Sequence, residues 1–248
     1  MTNTEKPIIV VKYSGEAMRA PKEGPGPHPI YEKEALDYLV TEIKEAKKFA
    51  DLAIVVGGGN HGRGAELMKL AGVDRETGDK VGMLYTVVNC RILENRLLEA
   101  GVKCELMSAI SCPQIGGDYV EKKAIHWLRE NKVILLAGGL GHGGCSTDHA
   151  AVIRAMELKA KKVIKATKVC YLHESDPRKN PQAKIIESIG TKEYLVYGFK
   201  QILDNTSVTQ AQECNIVIQI INGFVPGNLT QAVQGQKIGS LIIPSPQI

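Results

Sequence analysis

Residues 137–151 read AGGLGHGGCSTDHAA. An aliphatic run, VILLA (133–137), leads into five glycines, then Ser146-Thr147-Asp148, then an apolar periodic segment. Strand, glycine loop and capped helix in that order build an anion cradle. Glycine lets backbone N–H groups turn inward, and a helix N-terminus carries partial positive charge. Ser-Thr-Asp before an apolar run is also a normal helix start, so any of the three can be an N-cap. Five glycines ahead of the cap argue for a ligand as well. His142 and His149 alone prove nothing, since surface or core histidines are commoner than catalytic ones, and no second motif pairs Cys145 with a histidine as a nucleophile.

The same grammar repeats outward. IIVVKY (8–13) reads as a buried strand, followed by a Gly/Pro-rich loop. Residues 31–49 have helical spacing, with Ala35, Leu36, Leu39, Ile43 and Ala46 on one stripe. LAIVVG (52–57) is a second strand ending in a glycine triplet. A helix over 79–100, a strand over 104–108 and a helix over 119–130 precede VILLA. KVIKAT (162–167), NIVIQII (215–221) and SLII (240–243) complete the strands, the last two around a short helix near 229–234. Strands alternating with helices imply βαβ units and a largely parallel sheet. With no linker composition and no repeat, one α/β/α domain over 1–248 is expected. Its glycine loops fall at strand C-terminal ends, where open α/β sheets bind ligands.

Composition narrows the function. The chain has 248 residues and a net charge of +4. That excess is too small for a nucleic-acid footprint and suits a small anion. Six cysteines show no CxxC spacing, which points to reduced thiols and against zinc. The polar start MTNTEKP lacks a signal region, and no apolar run approaches the ~20 residues of a membrane span. A cytoplasmic protein without a membrane or nucleic-acid partner is expected.

Four constellations carry candidate chemistry. Lys12-Tyr13-Ser14-Gly15-Glu16 places a lysine at a strand exit before a Ser-Gly turn. Gly57-Gly58-Gly59-Asn60-His61-Gly62-Arg63-Gly64 gives successive N–H groups for an anion and an arginine at a helix start. The third is the 137–151 stretch. Lys165-Ala166-Thr167-Lys168-Val169 puts a lysine inside an apolar strand near its loop end, where an anionic ligand or a helix carboxylate would justify it. Together these place two strand-end lysines, one aspartate and three glycine cradles on one sheet edge. Phosphoryl transfer needs such a set, because catalysis there is mostly positioning and charge cancellation. No Walker A pattern and no HRD/DFG set is present.

In this order the motifs resemble the amino-acid-kinase superfamily, and within it the bacterial uridylate kinases. KYSGEAM, VVGGGNHGRGAE, GDKVGMLYTVVN, STDHAA, KATKV, SDPRKNP and PGNLTQAVQGQKIGSLI are each similar to a family segment, collinear over nearly the whole chain. The resemblance implies a three-layer α/β/α sandwich with a mainly parallel sheet of about eight strands. It implies ATP-dependent phosphorylation of a nucleoside monophosphate, UMP above all, with Mg²⁺ held mainly through phosphates and no protein metal ligands. Lys12 and Lys165 would neutralise the transferring group, and Asp148 would hold them. Ser14, Gly15, Gly59 and Arg63 would cradle ATP phosphates, with Thr167, His173 and Asp176 at the ATP nucleoside. Gly58, Asp79, Leu140, Gly141, His142 and Thr147 would face the acceptor, Asp79 on its ribose side.

Two segments depart from the family pattern. The G-T-G-N-P-F-F-T-T-D loop of uridylate kinases reads GLGHGGCSTD here, with Leu140 for a threonine, His142 for an asparagine and Gly144-Cys145 for two phenylalanines. K-V-D-G-V-Y reads Lys168-Val169-Cys170-Tyr171-Leu172-His173. A same-fold kinase for another phosphorylated or carboxylated small molecule is therefore a second expectation. NGFVPGNL also resembles the molybdenum storage proteins, which makes a non-catalytic nucleotide- or oxyanion-binding protein the third. The family resemblance further implies a homo-oligomer, a hexamer. The helix over 81–98, apolar all the way round, is its expected dimer surface.

Overall fold

In the computed structural model, residues 5–19, 29–62, 64–175, 180, 182–199 and 202–246 are described. The centre is a nine-stranded sheet. Its middle strands are β1 (Ile8–Tyr13), β2 (Asp51–Val56), β5 (Val133–Ala137) and β6 (Lys162–Thr167). β3 (Cys104–Ser108), β4 (Gly117–Asp118), β10 (Val217–Asn222), β11 (Ser240–Ile243) and β9 (Ser188–Gly190) lie outside them. The order is β4-β3-β5-β2-β1-β6-β10-β11-β9. Neighbours are parallel except β10 with β11. A separate antiparallel pair joins β7 (Leu172–His173) to β8 (Ile185–Ile186).

Every residue of β1, β2 and β5 is buried. Continuous β-branched and aliphatic runs produce this, since parallel strands covered on both faces have no polar side. Alternation still sorts their side chains. Ile9, Val11, Leu52, Ile54 and Leu135 pack under α1 (Lys33–Ala46), α3 (Arg75–Glu99) and α8 (Asn228–Val233). Ile8, Val10, Val55, Ile134 and Val163 pack under α4 (Glu121–Arg129), α5 (Thr147–Glu157) and α7 (Asn205–Glu213). The result is the three-layer α/β/α sandwich expected from the sequence. Buried Glu42 of α1 ties the first helical layer together by accepting the backbone N–H groups of Gly227 (2.8 Å) and Leu229 (3.4 Å) at the start of α8. A carboxylate suits that position because it meets unsatisfied donors and the positive end of the helix dipole.

The sequence carries seven of the nine strands of the central sheet and leaves β4, β9 and the β7–β8 pair unread. α2 (Gly64–Ala71) lies where a helix start was expected beside Arg63, whereas α6 (Thr191–Tyr197) and α7 were not expected. β4 and β9 are two and three residues long. Strands this short cannot display an alternation. α3 begins four residues before the expected start because Asp74 caps it, accepting from Thr77 N at 2.7 Å. Among the described residues no helix is long and apolar enough to cross a membrane.

Candidate active site

Alternation aims two lysines at one face. Lys12 shares its side of β1 with Val10, and Lys165 shares its side of β6 with Val163, both facing the α5 layer. The lysines are register partners on adjacent parallel strands. α5 enters over that face and sets Asp148, in its first turn, between them. Lys12 Nζ is 2.9 Å from Asp148 Oδ1, and Lys165 Nζ is 2.5 Å from Oδ2. Exposure of the three side chains is 10%, 9% and 14%, so these ion pairs are shielded from water. Lys165 is held from a second side by donating to the Ile202 carbonyl.

Burial works against charge on Asp148, but the two ammonium groups outweigh it and hold the carboxyl below its usual range. Burial pushes Lys165 below the ordinary lysine value, with Asp148 opposing and Lys12 adding to the shift. The cap question is settled by geometry. Ser146 is the N-cap of α5, accepting from His149 N at 3.0 Å, so Asp148 is free for the lysines.

The glycines of the 137–151 stretch are used conformationally. Gly138, Gly139, Gly141 and Gly144 have φ of 73°, 58°, 83° and 82°, the left-handed region that side chains avoid. A Cβ on Gly141 would lie 2.8 Å from the Ala109 carbonyl oxygen. Buried Arg154 of α5 anchors this loop from below through the Gly139 carbonyl (3.1 Å), while pairing with Glu157 at 2.6 Å. At the far end Asp79 of α3 accepts from Gly144 N at 2.8 Å and pairs with Arg75 at 2.9 Å.

These pieces surround one cavity of about 720 Å³. Lys12, Ser14, Gly58, Gly59, Asp79, Leu140, His142, Thr147, Asp148, Lys165 and Thr167 line it. Gly15 and Gly141 stand behind the lining. Gly15 is packed so closely that a Cβ would lie 2.4 Å from Asn60 Oδ1. His173 sits on β7 with Nδ1 3.1 Å from the Tyr171 carbonyl and does not line the cavity. Arg63 and Asp176 fall outside the described residues. Cys145 also lines the cavity, 3.9 Å from His142 Nδ1, but burial keeps its thiol above the usual value, away from a thiolate.

Asp204 and Phe224 line the cavity without a sequence signal for it, and Lys168 of the KATKV segment joins them. Asp204 caps α7, accepting from Ser207 N (2.8 Å), and also accepts from Ser146 Oγ (2.5 Å). Its signal, Asp-Asn-Thr-Ser, reads as a helix start, and that is part of its role. Lys168, 3.3 Å from Glu16, and Phe224, whose ring centroid lies 6.0 Å from Lys168 Nζ, flank the end of the cavity beyond β6.

A catalytic-looking carboxylate between paired lysines, at the carboxyl ends of parallel strands and under a glycine cradle, fits phosphoryl chemistry. The model of the amino acid kinase family matches residues 7–222. The chain belongs to the amino acid kinase family. Within that family it is similar to the uridylate kinase of Yersinia pestis (strain Pestoides F), 37% identical over 98% of this chain and 99% of that one. It is 39% identical, with the same coverage, to the uridylate kinase of Blochmanniella pennsylvanica. The solved structure of UMP kinase from Ureaplasma parvum superposes with a TM-score of 0.88 at 27% identity, covering 97% of this chain and 100% of that one. The amino acid kinase fold of this chain therefore extends well past the matched 7–222 segment.

Proposed function

We propose that this chain transfers the γ-phosphoryl group of ATP to UMP, giving UDP and ADP. The observation that carries the reading is the buried Lys12–Asp148–Lys165 set under the glycine cradle. A phosphate oxygen of UMP attacks γ-phosphorus as the bond to the β-phosphate bridging oxygen breaks. Negative charge sits on the transferring group throughout, and two fixed ammonium groups stabilise it in the transition state. Asp148 is the positioning residue that keeps both lysines charged and aimed. The full-length likeness to uridylate kinases supports UMP as acceptor.

The residues present fit ATP with Mg²⁺. Each oxygen of Asp148 faces a lysine ammonium, and Asp204 accepts from Ser146 and Ser207, so the cation would be carried mainly by the nucleotide's phosphates. Mg²⁺ would screen phosphate repulsion there. Ser14, Gly15 and Gly59 would take the donor phosphates, with Thr167 toward the donor nucleoside. Gly58, Thr147 and Asp79 would take the acceptor, with Leu140, Gly141 and His142 toward its base. The chain would act as a homo-oligomer through α3, whose outward Leu84, Val88 and Leu98 are 52%, 43% and 50% exposed.

Coupled ADP release with UMP, other nucleoside monophosphates and small carboxylates as acceptors tests the reading. UMP is expected to give the highest kcat/KM. Turnover of another acceptor class with none for UMP would overturn it. ATP binding without turnover of any acceptor would move the protein to a storage role.

A further inference from the structure

Behind the glycine triplet lies a polar chain in which Asn60 and Asn89 are buried and Tyr31 and His61 half-buried. Asn89 of α3 has no exposure, and its Nδ2 donates to the Gly57 carbonyl and to Asn60 Oδ1, both at 2.7 Å. A carbonyl can only accept, so this fixes the amide orientation and leaves Asn89 Oδ1 facing Tyr31. Tyr31 OH donates to that oxygen at 2.7 Å. The single hydroxyl proton is thereby used. At its contact with His61 Nε2, 2.5 Å away, the tyrosine oxygen accepts and the imidazole nitrogen carries the hydrogen. His61 is in turn stacked on Tyr85, with centroids 4.6 Å apart and planes 13° apart, and meets Tyr31 edge-on at 5.4 Å.

The chain ends where the two phosphate loops interlock. Gly15 can have no Cβ because Asn60 Oδ1, the Gly57 carbonyl and Gly59 N crowd it at 2.4, 2.4 and 2.8 Å. Whatever fixes Asn60 and Gly57 thus also fixes the spacing of the Ser14–Gly15 turn from the Gly57–Gly59 loop. We propose that Tyr31 and His61 form a brace that sets this spacing, making them positioning residues for phosphoryl transfer. The inference rests on the reading of these loops as donor and acceptor phosphate sites. A rate that depends on near-attack geometry is sensitive to the distance between them.

The test compares wild type, Tyr31→Phe, His61→Phe and the double variant. Each phenylalanine keeps a ring in place, and His61→Phe keeps the stack on Tyr85, so packing is preserved while the hydrogen bonds go. Each single variant is expected to lose about tenfold in kcat with little change in KM, less than the roughly hundredfold that a full 1 Å misplacement costs. The double variant should be no worse than Tyr31→Phe, because both act through one chain of bonds. Amide hydrogen exchange over residues 57–62 should quicken in each variant. Unchanged exchange in the single variants, or losses that multiply in the double variant, would overturn the brace. A wild type with no turnover on any acceptor refutes the kinase reading instead, and exchange then decides the brace alone.

Discussion

The two ends of the candidate site are built by different means. At the lysine–aspartate centre, charged groups on two adjacent strands and a helix start are locked by register, burial and mutual pairing. In the loop over 140–145, His142, Gly143 and Gly144 are exposed, and the path is set by left-handed glycines and two contacts to Asp79 and Arg154. The first region is held by contacts that its three residues share, whereas the second is held by backbone conformation and can change residue by residue. On the proposed function, the sheet would carry the reaction and the loop the choice of acceptor.

If that division holds, variants at the centre should cost rate with every acceptor. Lys165→Met or Lys12→Met should lower kcat by roughly 10²–10³-fold, about 3–4 kcal/mol, the loss of one preorganised electrostatic contact. Steady-state kinetics with UMP and with the best second acceptor should show the same factor for both. A loss confined to one acceptor would break the comparison.

The centre should also be visible in acid. Because Asp148 has a lowered carboxyl pKa in the fold, its contribution to stability is complete above the ordinary aspartate value, about pH 4, and is lost as pH falls through the lowered one. Melting temperature against pH should therefore drop less steeply below about pH 4 in Asp148→Asn than in wild type. Identical acid limbs would mean that Asp148 titrates normally.

The loop predicts smaller, selective effects. Cys145→Phe adds a ring at the cavity wall and should alter the ratio of kcat/KM between acceptors by about 10–200-fold at most, the range of one pocket contact, leaving the order of donor nucleotides unchanged. Equal changes for all acceptors would assign the loop to catalysis. The smallest effect is expected at His173, which faces the Tyr171 carbonyl and not the cavity. His173→Ala should change KM for ATP less than about twofold, within the few tenths of a kcal/mol of an ordinary surface change. A tenfold rise would return His173 to the donor site.

The same contrast explains what could be read in the sequence. Lys12 and Lys165 were legible because a lysine in an aliphatic strand needs a partner, and Asp148 because it follows a glycine run at a helix start. Their pairing through Asp148 was expected from the family resemblance alone, since strand order is set by contacts far apart in sequence. Ser146, not Asp148, proved to be the cap, a distinction that three adjacent capping residues cannot make from composition. Asp204 was hidden for the same reason: a capping aspartate looks alike whether or not its second oxygen serves a cavity. α7 escaped because its nine residues carry only two apolar ones, Val208 and Ala211, too few for a hydrophobic period. The Tyr31–His61–Asn89 chain had no local signal, because its members come from three separate segments.

Asp148 is the group proposed to aim two lysines, and Asp148→Asn tests that role most directly. Asparagine keeps the shape, and Ser146 keeps the cap, so circular dichroism should show the helix intact at the assay temperature. Two buried ammonium groups would lose their shared counter-charge, which should reduce stability by about 3 kcal/mol. Turnover of UMP, measured as ADP release well below the melting temperature, should fall by about 10²-fold. Near-normal turnover in a folded Asp148→Asn protein would contradict the account, because the lysines would then be placed without the carboxylate.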